Sequence, residues 1–226
     1  SDSPNNLPAQ LTSFVGRGEE LGRIAGLLGE HRLVTVTGVG GVGKTRAALQ
    51  VAADVAPRFS DGVWLVELAP VADPEGIPSA FVQALGLAQA QAGAPTDAVL
   101  EYLGPKAALL VVDNCEHLID PAAEFVEHVL AAAPDVRVLA TSRELLGIPG
   151  EAAFGLRSLP VGEAGGDALA LLVERAQHAN QGFSPRGHEP ALLEIVRRLD
   201  GIPLALELAA ARLRSFSPER VAGLLD

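Results

Sequence analysis

Eight consecutive residues carry the clearest chemistry in this chain: Gly38-Val39-Gly40-Gly41-Val42-Gly43-Lys44-Thr45. They complete the pattern G-x-x-x-x-G-K-[ST]. Glycines let a backbone curl so that successive N–H groups face one phosphate chain. A helix opening at the same spot adds its positive N-terminal end. Lys44 supplies a compact ammonium for the β- and γ-phosphates, and Thr45 a hydroxyl for Mg²⁺. A nucleoside triphosphate is therefore the expected ligand. Gly38, Gly40, Gly41, Val42, Gly43, Lys44, Thr45 and the following Arg46 are the candidate contacts. The chain contains only two lysines, Lys44 and Lys106, against 15 arginines. One of the two stands where a point charge suits phosphate.

Other segments carry candidates that each have a plainer reading. Leu109-Leu110-Val111-Val112-Asp113 is an apolar run ending in an acid. In parallel sheets ligands sit beyond the carboxyl ends of strands. Asp113 is thus expected beside the phosphate loop, where it can hold Mg²⁺ together with Thr45. Asn114 follows, and an amide cannot take a proton from an attacking water, so slow hydrolysis is expected. Asn114 and Glu116 can equally cap the next turn. Arg143, after Thr141-Ser142, is either a γ-phosphate reader or a surface arginine in an ion pair. Gly201-Ile202-Pro203-Leu204 is either helix punctuation or a place where Pro203 lies on the base. Phe14-Val15-Gly16-Arg17 is either a hydrophobic staple and loop or a wall beside the base. Cys115 reads as a small buried residue, His117 as a packing or hydrogen-bonding residue and Trp64 as strand core. Five scattered histidines and one cysteine give no metal-site spacing.

The elements that must position these groups follow from periodicity and punctuation. Glu19 to Leu28 reads as a helix with Leu21, Ile24, Leu27 and Leu28 on one face. Strands are expected at Leu33–Thr37, Val63–Leu68, Ala108–Val112, Val136–Thr141 and, more weakly, Ala152–Leu156. Helices are expected at Arg46–Ala56, Pro78–Leu85, from a Thr96 cap to Leu103, and from an Asp120 N-cap with Pro121 in the first turn. An Ala-, Gln- and Gly-rich loop spans 86–96. This alternation with short apolar strands argues an α/β fold, a three-layer arrangement around a parallel sheet. From 167 the chain reads as about four helices, broken at Gly182–Pro185, Gly201–Pro203 and Ser215–Pro218. The domains expected are a linker at 1–13, a nucleotide-binding domain at 14–160 and a small all-α domain at 161–226.

Composition bounds the partners. The chain has 226 residues, is 48% hydrophobic and carries a formal charge of -11. The acidic excess lies in residues 1–185; residues 186–226 hold six basic and six acidic side chains. Nucleic acid is disfavoured as a direct ligand. One cysteine, Cys115, gives no disulfide framework and suits a reducing compartment, hence a cytoplasmic location. No apolar run reaches the roughly 18 residues of a membrane helix. Methionine is absent even at position 1, so a piece of a larger polypeptide is expected.

Together these pieces resemble the nucleotide-binding module of the STAND class of P-loop NTPases, also called NB-ARC or AP-ATPase. Ser13-Phe14-Val15-Gly16-Arg17 is similar to the family's N-terminal adenine-side motif. Residues 38–45 match its Walker A and 109–113 its Walker B. Arg143 falls at its sensor arginine, and Gly201-Ile202-Pro203-Leu204 matches its G-x-P motif. The resemblance implies ATP or ADP with Mg²⁺, catalytic roles for Lys44, Asp113 and Arg143, and base contacts from Val15, Gly16, Arg17, Pro203 and Leu204. It implies that 161–226 is the first helical domain of the class, with the winged-helix domain absent. The strings Leu7-Pro8…Leu11-Thr12-Ser13-Phe14-Val15-Gly16-Arg17 and Val112-Asp113-Asn114-Cys115-Glu116-His117 look like those of Streptomyces antibiotic regulatory protein-type and LuxR-type transcriptional regulators. Those carry DNA-binding and sensor domains on the same polypeptide. An Ala-, Gly- and Arg-rich composition suits an actinobacterial source. The implied function is an ATP/ADP switch with slow hydrolysis, in which ATP favours an open, oligomer-forming state. A turnover enzyme or a scaffold with a vestigial site are the alternatives.

Overall fold

Five short strands form one wholly parallel sheet: β1 (Leu33–Thr37), β2 (Val63–Glu67), β3 (Leu109–Asp113), β4 (Arg137–Ser142) and β5 (Glu151–Gly155). The computed structural model describes residues 3–9, 14–87, 94–162 and 165–225. Leu11, Thr12, Ser13 and the middle of the 86–96 loop lie outside them.

The spatial order is β2-β3-β4-β1-β5. Burial follows that order. Central β1, β3 and β4 are buried almost throughout, whereas the edges β2 and β5 each present exposed positions. Continuous apolar runs are what a strand covered on both faces requires. The α/β parallel-sheet expectation is met. β4 stands between β1 and β3, so Asp113 ends a strand that is not adjacent to the one feeding the phosphate loop.

The helices in this part are α1 (Gly18–Glu30), α2 (Lys44–Val55), α3 (Ile77–Ala84), α4 (Pro95–Leu103) and α5 (Ile119–Ala132). Two expected starts shift. α4 begins at Pro95 with Ala94 as N-cap, so Thr96 lies inside the first turn. α5 begins at Ile119 with Leu118 as N-cap, so Asp120 is a first-turn acid rather than the cap. In each case proline sits in the first turn, where its missing N–H costs nothing. A core of Leu68, Phe81, Leu103, Leu110, Val112, Phe125, Val126 and neighbours packs α3, α4 and α5 on one face of the sheet.

Residues read as a linker also do structural work. The Val63 amide donates to the Pro4 carbonyl at 2.9 Å. The Leu65 amide donates to Asn6 Oδ1 at 2.6 Å, and Asn6 Nδ2 donates to the Leu65 carbonyl at 2.9 Å. The Asn6 side chain thereby imitates a neighbouring strand and covers the open edge of β2.

The described residues fall into two compact units. One gathers 3–9, Gly18–Gly38 and Lys44–Leu156; the other gathers 14–17, Val39–Gly43 and 157–225. The second holds α6 (Gly166–Ala179), α7 (Glu189–Arg198), α8 (Pro203–Arg212) and α9 (Pro218–Gly223). Leu159, Leu172, Leu192, Ile195, Leu206 and Leu213 form its core. Arg175, only 8% exposed, crosses from α6 to Glu207 of α8 at 3.1 Å and reaches Glu174 at 2.8 Å.

Candidate nucleotide site

In the sheet unit, three elements bring polar side chains to the carboxyl end of the strands. α2 opens with Lys44 and Thr45 directly after the glycine loop. The Thr45 hydroxyl donates to Asp113 Oδ1 at 2.7 Å, at the end of β3. The Thr141 hydroxyl, from β4 between β1 and β3, donates to the same oxygen at 2.6 Å. Thus Asp113 meets Thr45 although a strand intervenes. Asp113 is 8% exposed and Thr141 1%. A buried carboxylate needs such donors.

Lys44 is nearly buried, and its ammonium donates to the Gly38 carbonyl at 2.9 Å across the loop. Gly41 and Gly43 hold φ of +76° and +97°, conformations that favour glycine. The pattern of the loop thus follows from backbone geometry as well as phosphate chemistry. Among the described residues no group of three or more His, Cys, Asp or Glu side chains could hold a metal. One carboxylate beside one hydroxyl, Asp113 with Thr45, is instead a donor set that suits Mg²⁺ bound partly by phosphate oxygens.

Around Asp113 the chain turns sharply. Asn114 adopts a left-handed conformation, φ +65°. Its amide donates to Thr141 Oγ1 at 2.9 Å, and its side-chain nitrogen lies 3.3 Å from His117 Nδ1. His117 Nε2 lies 3.0 Å from the Val71 carbonyl. These contacts suit the tautomer protonated on Nε2. Asn114 and His117 therefore organise this turn. Cys115 is fully buried, and burial with the nearby Asp113 charge pushes its thiol up to about 12. It is a core residue, not a nucleophile. Arg143 is largely exposed, its Nε 3.6 Å from Glu116 Oε1. Thr141, two residues before Arg143, has no role legible in its sequence neighbourhood, yet it ties Asp113 to Asn114. A hydroxyl closing an otherwise apolar strand was the available signal.

In the helical unit, Val15 packs against the core of α6–α9. Gly16 (φ +69°) lies so near Asp167 that a Cβ would fall 2.5 Å from the carboxylate. Arg17 also has positive φ, +65°, and is 6% exposed; its guanidinium donates to the Val42 carbonyl at 3.0 Å. At α8 the Leu204 amide donates to the Gly41 carbonyl at 3.1 Å. Pro203 opens the helix and is half-buried. Gly40 is exposed, and Arg46 is half-buried on α2.

A separate cleft of about 1810 Å³ opens between β2, α3 and α4, lined by Leu65, Val71, Val82, Leu87, Glu101 and Tyr102 among others. Among the described residues that line it, none belongs to the phosphate loop and none is a cation.

No family model matches the chain. A Mycobacterium tuberculosis protein named as an HTH-type transcriptional regulator is 42% identical over 201 residues, which are 88% of this chain and 22% of that protein. Regulatory protein AfsR of Streptomyces griseus is 32% identical over 230 residues, 93% of this chain and 22% of that protein. The chain thus spans about a fifth of the length of these relatives. Among solved structures, the Walker-type ATPase of Pyrococcus abyssi superposes with a TM-score of 0.65 at 17% identity, covering 94% of this chain and 71% of that one. A STAND protein with a tetratricopeptide repeat sensor from Pyrococcus horikoshii gives 0.55 at 18%, covering 91% and 30%. The chain has the P-loop NTPase fold that these STAND and Walker-type ATPases share, and it is a relative of the regulators named HTH-type and AfsR.

Proposed function

We propose that the chain is an adenine-nucleotide-binding switch module of a multidomain, cytoplasmic transcriptional regulator, with slow ATP hydrolysis. The observation that carries this reading is the convergence of Thr45 and Thr141 on Asp113, next to Lys44 at the end of the glycine loop. That cluster has the groups a Mg²⁺–nucleotide needs: backbone amides, one ammonium, one hydroxyl and one carboxylate. Lys44 would exchange the Gly38 carbonyl for β- and γ-phosphate oxygens. Thr45 and Asp113 would hold Mg²⁺, which, when bound, neutralises charge developing on the phosphates. Asn114 offers no base, and Glu116 faces Arg143, so turnover is slow. Arg143 reports the γ-phosphate after leaving Glu116. Val15, Gly16 and Pro203 contact the base.

The domains would be a P-loop domain at 14–160 and a first helical domain at 161–226. DNA-binding and sensor domains belong to the rest of the polypeptide, and ATP favours oligomers of the full protein. The motif resemblance extends the reading to control of antibiotic or secondary-metabolite genes. A switch requires that the two nucleotides differ in affinity for two states; tight binding alone shifts nothing. Calorimetric titration with ATP, ADP and GTP, each with Mg²⁺, tests the reading, with Lys44→Ala as control. Adenine-selective binding lost in Lys44→Ala supports it; no binding by the unaltered chain sinks it.

A further inference from the structure

A loop that turns its N–H groups toward a phosphate chain must turn carbonyls away from it. Carbonyls removed from water need donors. The helical unit supplies two. The first comes from α8. Its N-cap, Ile202, makes no side-chain cap, and Pro203 has no N–H to offer. Leu204 is therefore the first amide of the helix, one of those left without an intrahelical acceptor. It donates to the Gly41 carbonyl at 3.1 Å. The phosphate loop thus caps α8. The approach depends on residue 41 being glycine: a Cβ there would lie 2.9 Å from Leu204 Cβ. The second donor is Arg17. Its left-handed backbone is unfavourable for a non-glycine residue. The strained position sends its buried guanidinium to the Val42 carbonyl, at 3.0 Å.

We propose that Arg17 and the first turn of α8 are positioning elements for the phosphate loop: they clamp its outward carbonyls at Gly41 and Val42, so that phosphate binding and order at the start of α8 are one equilibrium. This rests on the nucleotide reading above but gives it a different route. Coupling to the helical unit runs through the phosphate chain and the loop backbone, not only through Pro203 and the base. It is reciprocal by linkage: whatever orders this turn of α8 tightens phosphate binding by the same factor.

The probes are ATP and inorganic tripolyphosphate, each with Mg²⁺; the second carries the phosphate chain without a base. Affinities are measured by calorimetry for the unaltered chain, Arg17→Gln and Arg17→Lys. Hydrogen exchange of the Leu204 amide is followed with and without each probe. Arg17→Gln is expected to weaken both probes by the same factor, about tenfold for a charge-assisted hydrogen bond. Arg17→Lys should recover most of it. Both probes should slow Leu204 exchange at least several-fold. A loss confined to ATP would place Arg17 at the base and overturn the proposal, as would equal affinities in all three chains. If Arg17→Gln fails to fold, the exchange measurement decides alone: ATP binding that leaves Leu204 exchange unchanged overturns it. Failure of the unaltered chain to bind either probe would remove the nucleotide reading itself.

Discussion

The two ends of the sheet both collect polar groups, and they use them differently. At the amino ends of the strands, Arg137 of β4 donates to the Leu28 and His31 carbonyls at the end of α1. Arg32, just before β1, donates to Leu130, Ala133 and Val136 carbonyls at and after the end of α5. Adjacent parallel strands thus lend an arginine each to cap a helix terminus, where carbonyls lack partners and the dipole is negative. All five of these contacts are cation to carbonyl. At the carboxyl ends, Thr45, Asp113, Thr141 and Lys44 satisfy one another or the loop backbone. There two hydroxyls converge on one carboxylate oxygen, and an ammonium donates to a loop carbonyl. One end sets cations on helix-terminal carbonyls; the other gathers hydroxyls on a carboxylate, and it is the end at which the nucleotide is proposed to bind.

Lys44→Ala tests the ligand end most severely. Removing the ammonium should cost about 3 kcal/mol of nucleotide binding, roughly a hundredfold in affinity. Thermal stability without ligand should change less than affinity does. Calorimetry and melting curves on the same sample check both. A large loss of stability with affinity intact would make this lysine structural and erase the contrast.

Arg137→Ala reverses the pattern. It strips two carbonyls at the end of α1 of their donor and should cost about 2 kcal/mol of stability. Nucleotide affinity should stay within about twofold, since additivity holds for separated sites. Denaturant titration measures the first and calorimetry the second. Affinity falling with stability would show that the two ends are not independent.

How much of this contrast was legible beforehand depends on sequence separation. The five strands and the glycine loop were readable because each is a local pattern: an apolar run, or a spacing of Gly, Lys and Thr. Helix breaks after 167 were readable for the same reason. The insertion of β4 between β1 and β3 was not, because strand order is fixed by packing of distant segments. Thr141 therefore went unassigned: it acts through Asp113, 28 residues earlier. Arg17 pointed to the site, but its bond to the loop backbone depends on a left-handed turn that no propensity foretells. Asn6 lies 59 residues from its partner Leu65 and read only as linker. The caps at Thr96 and Asp120 fall instead at Ala94 and Leu118, neither of which makes a side-chain cap.

Thr141→Val sharpens the ligand end further. The change keeps shape but removes the donor to Asp113 Oδ1 and the acceptor for the Asn114 amide. About 1.5 kcal/mol of Mg²⁺-dependent nucleotide binding should be lost, near tenfold. Binding measured in chelator should change less. If loss is equal with and without Mg²⁺, Thr141 does not act through the carboxylate.

The smallest effect concerns Cys115, buried directly beyond the ligand end. Burial and the Asp113 charge hold its thiol up at about 12, against 9.0 for an unhindered thiol. The folded chain keeps the proton where the unfolded chain releases it. Above pH 9 the unfolded state therefore binds fewer protons, and stability falls as pH rises toward 12; below pH 9 the contribution is complete. By pH 10 the loss should be about 1.4 kcal/mol. Other groups titrate in this range, so the measurement is a difference. Urea midpoints of the unaltered chain and Cys115→Ala are compared at pH 8 and pH 10. The alanine chain should be less stable at pH 8, having lost a packed sulfur, and should lose less on going to pH 10. Parallel losses would mean that the Cys115 thiol titrates alike in both states, and that water reaches the turn beneath Asp113. That outcome would extend the ligand end one layer deeper than the burial of Cys115 allows.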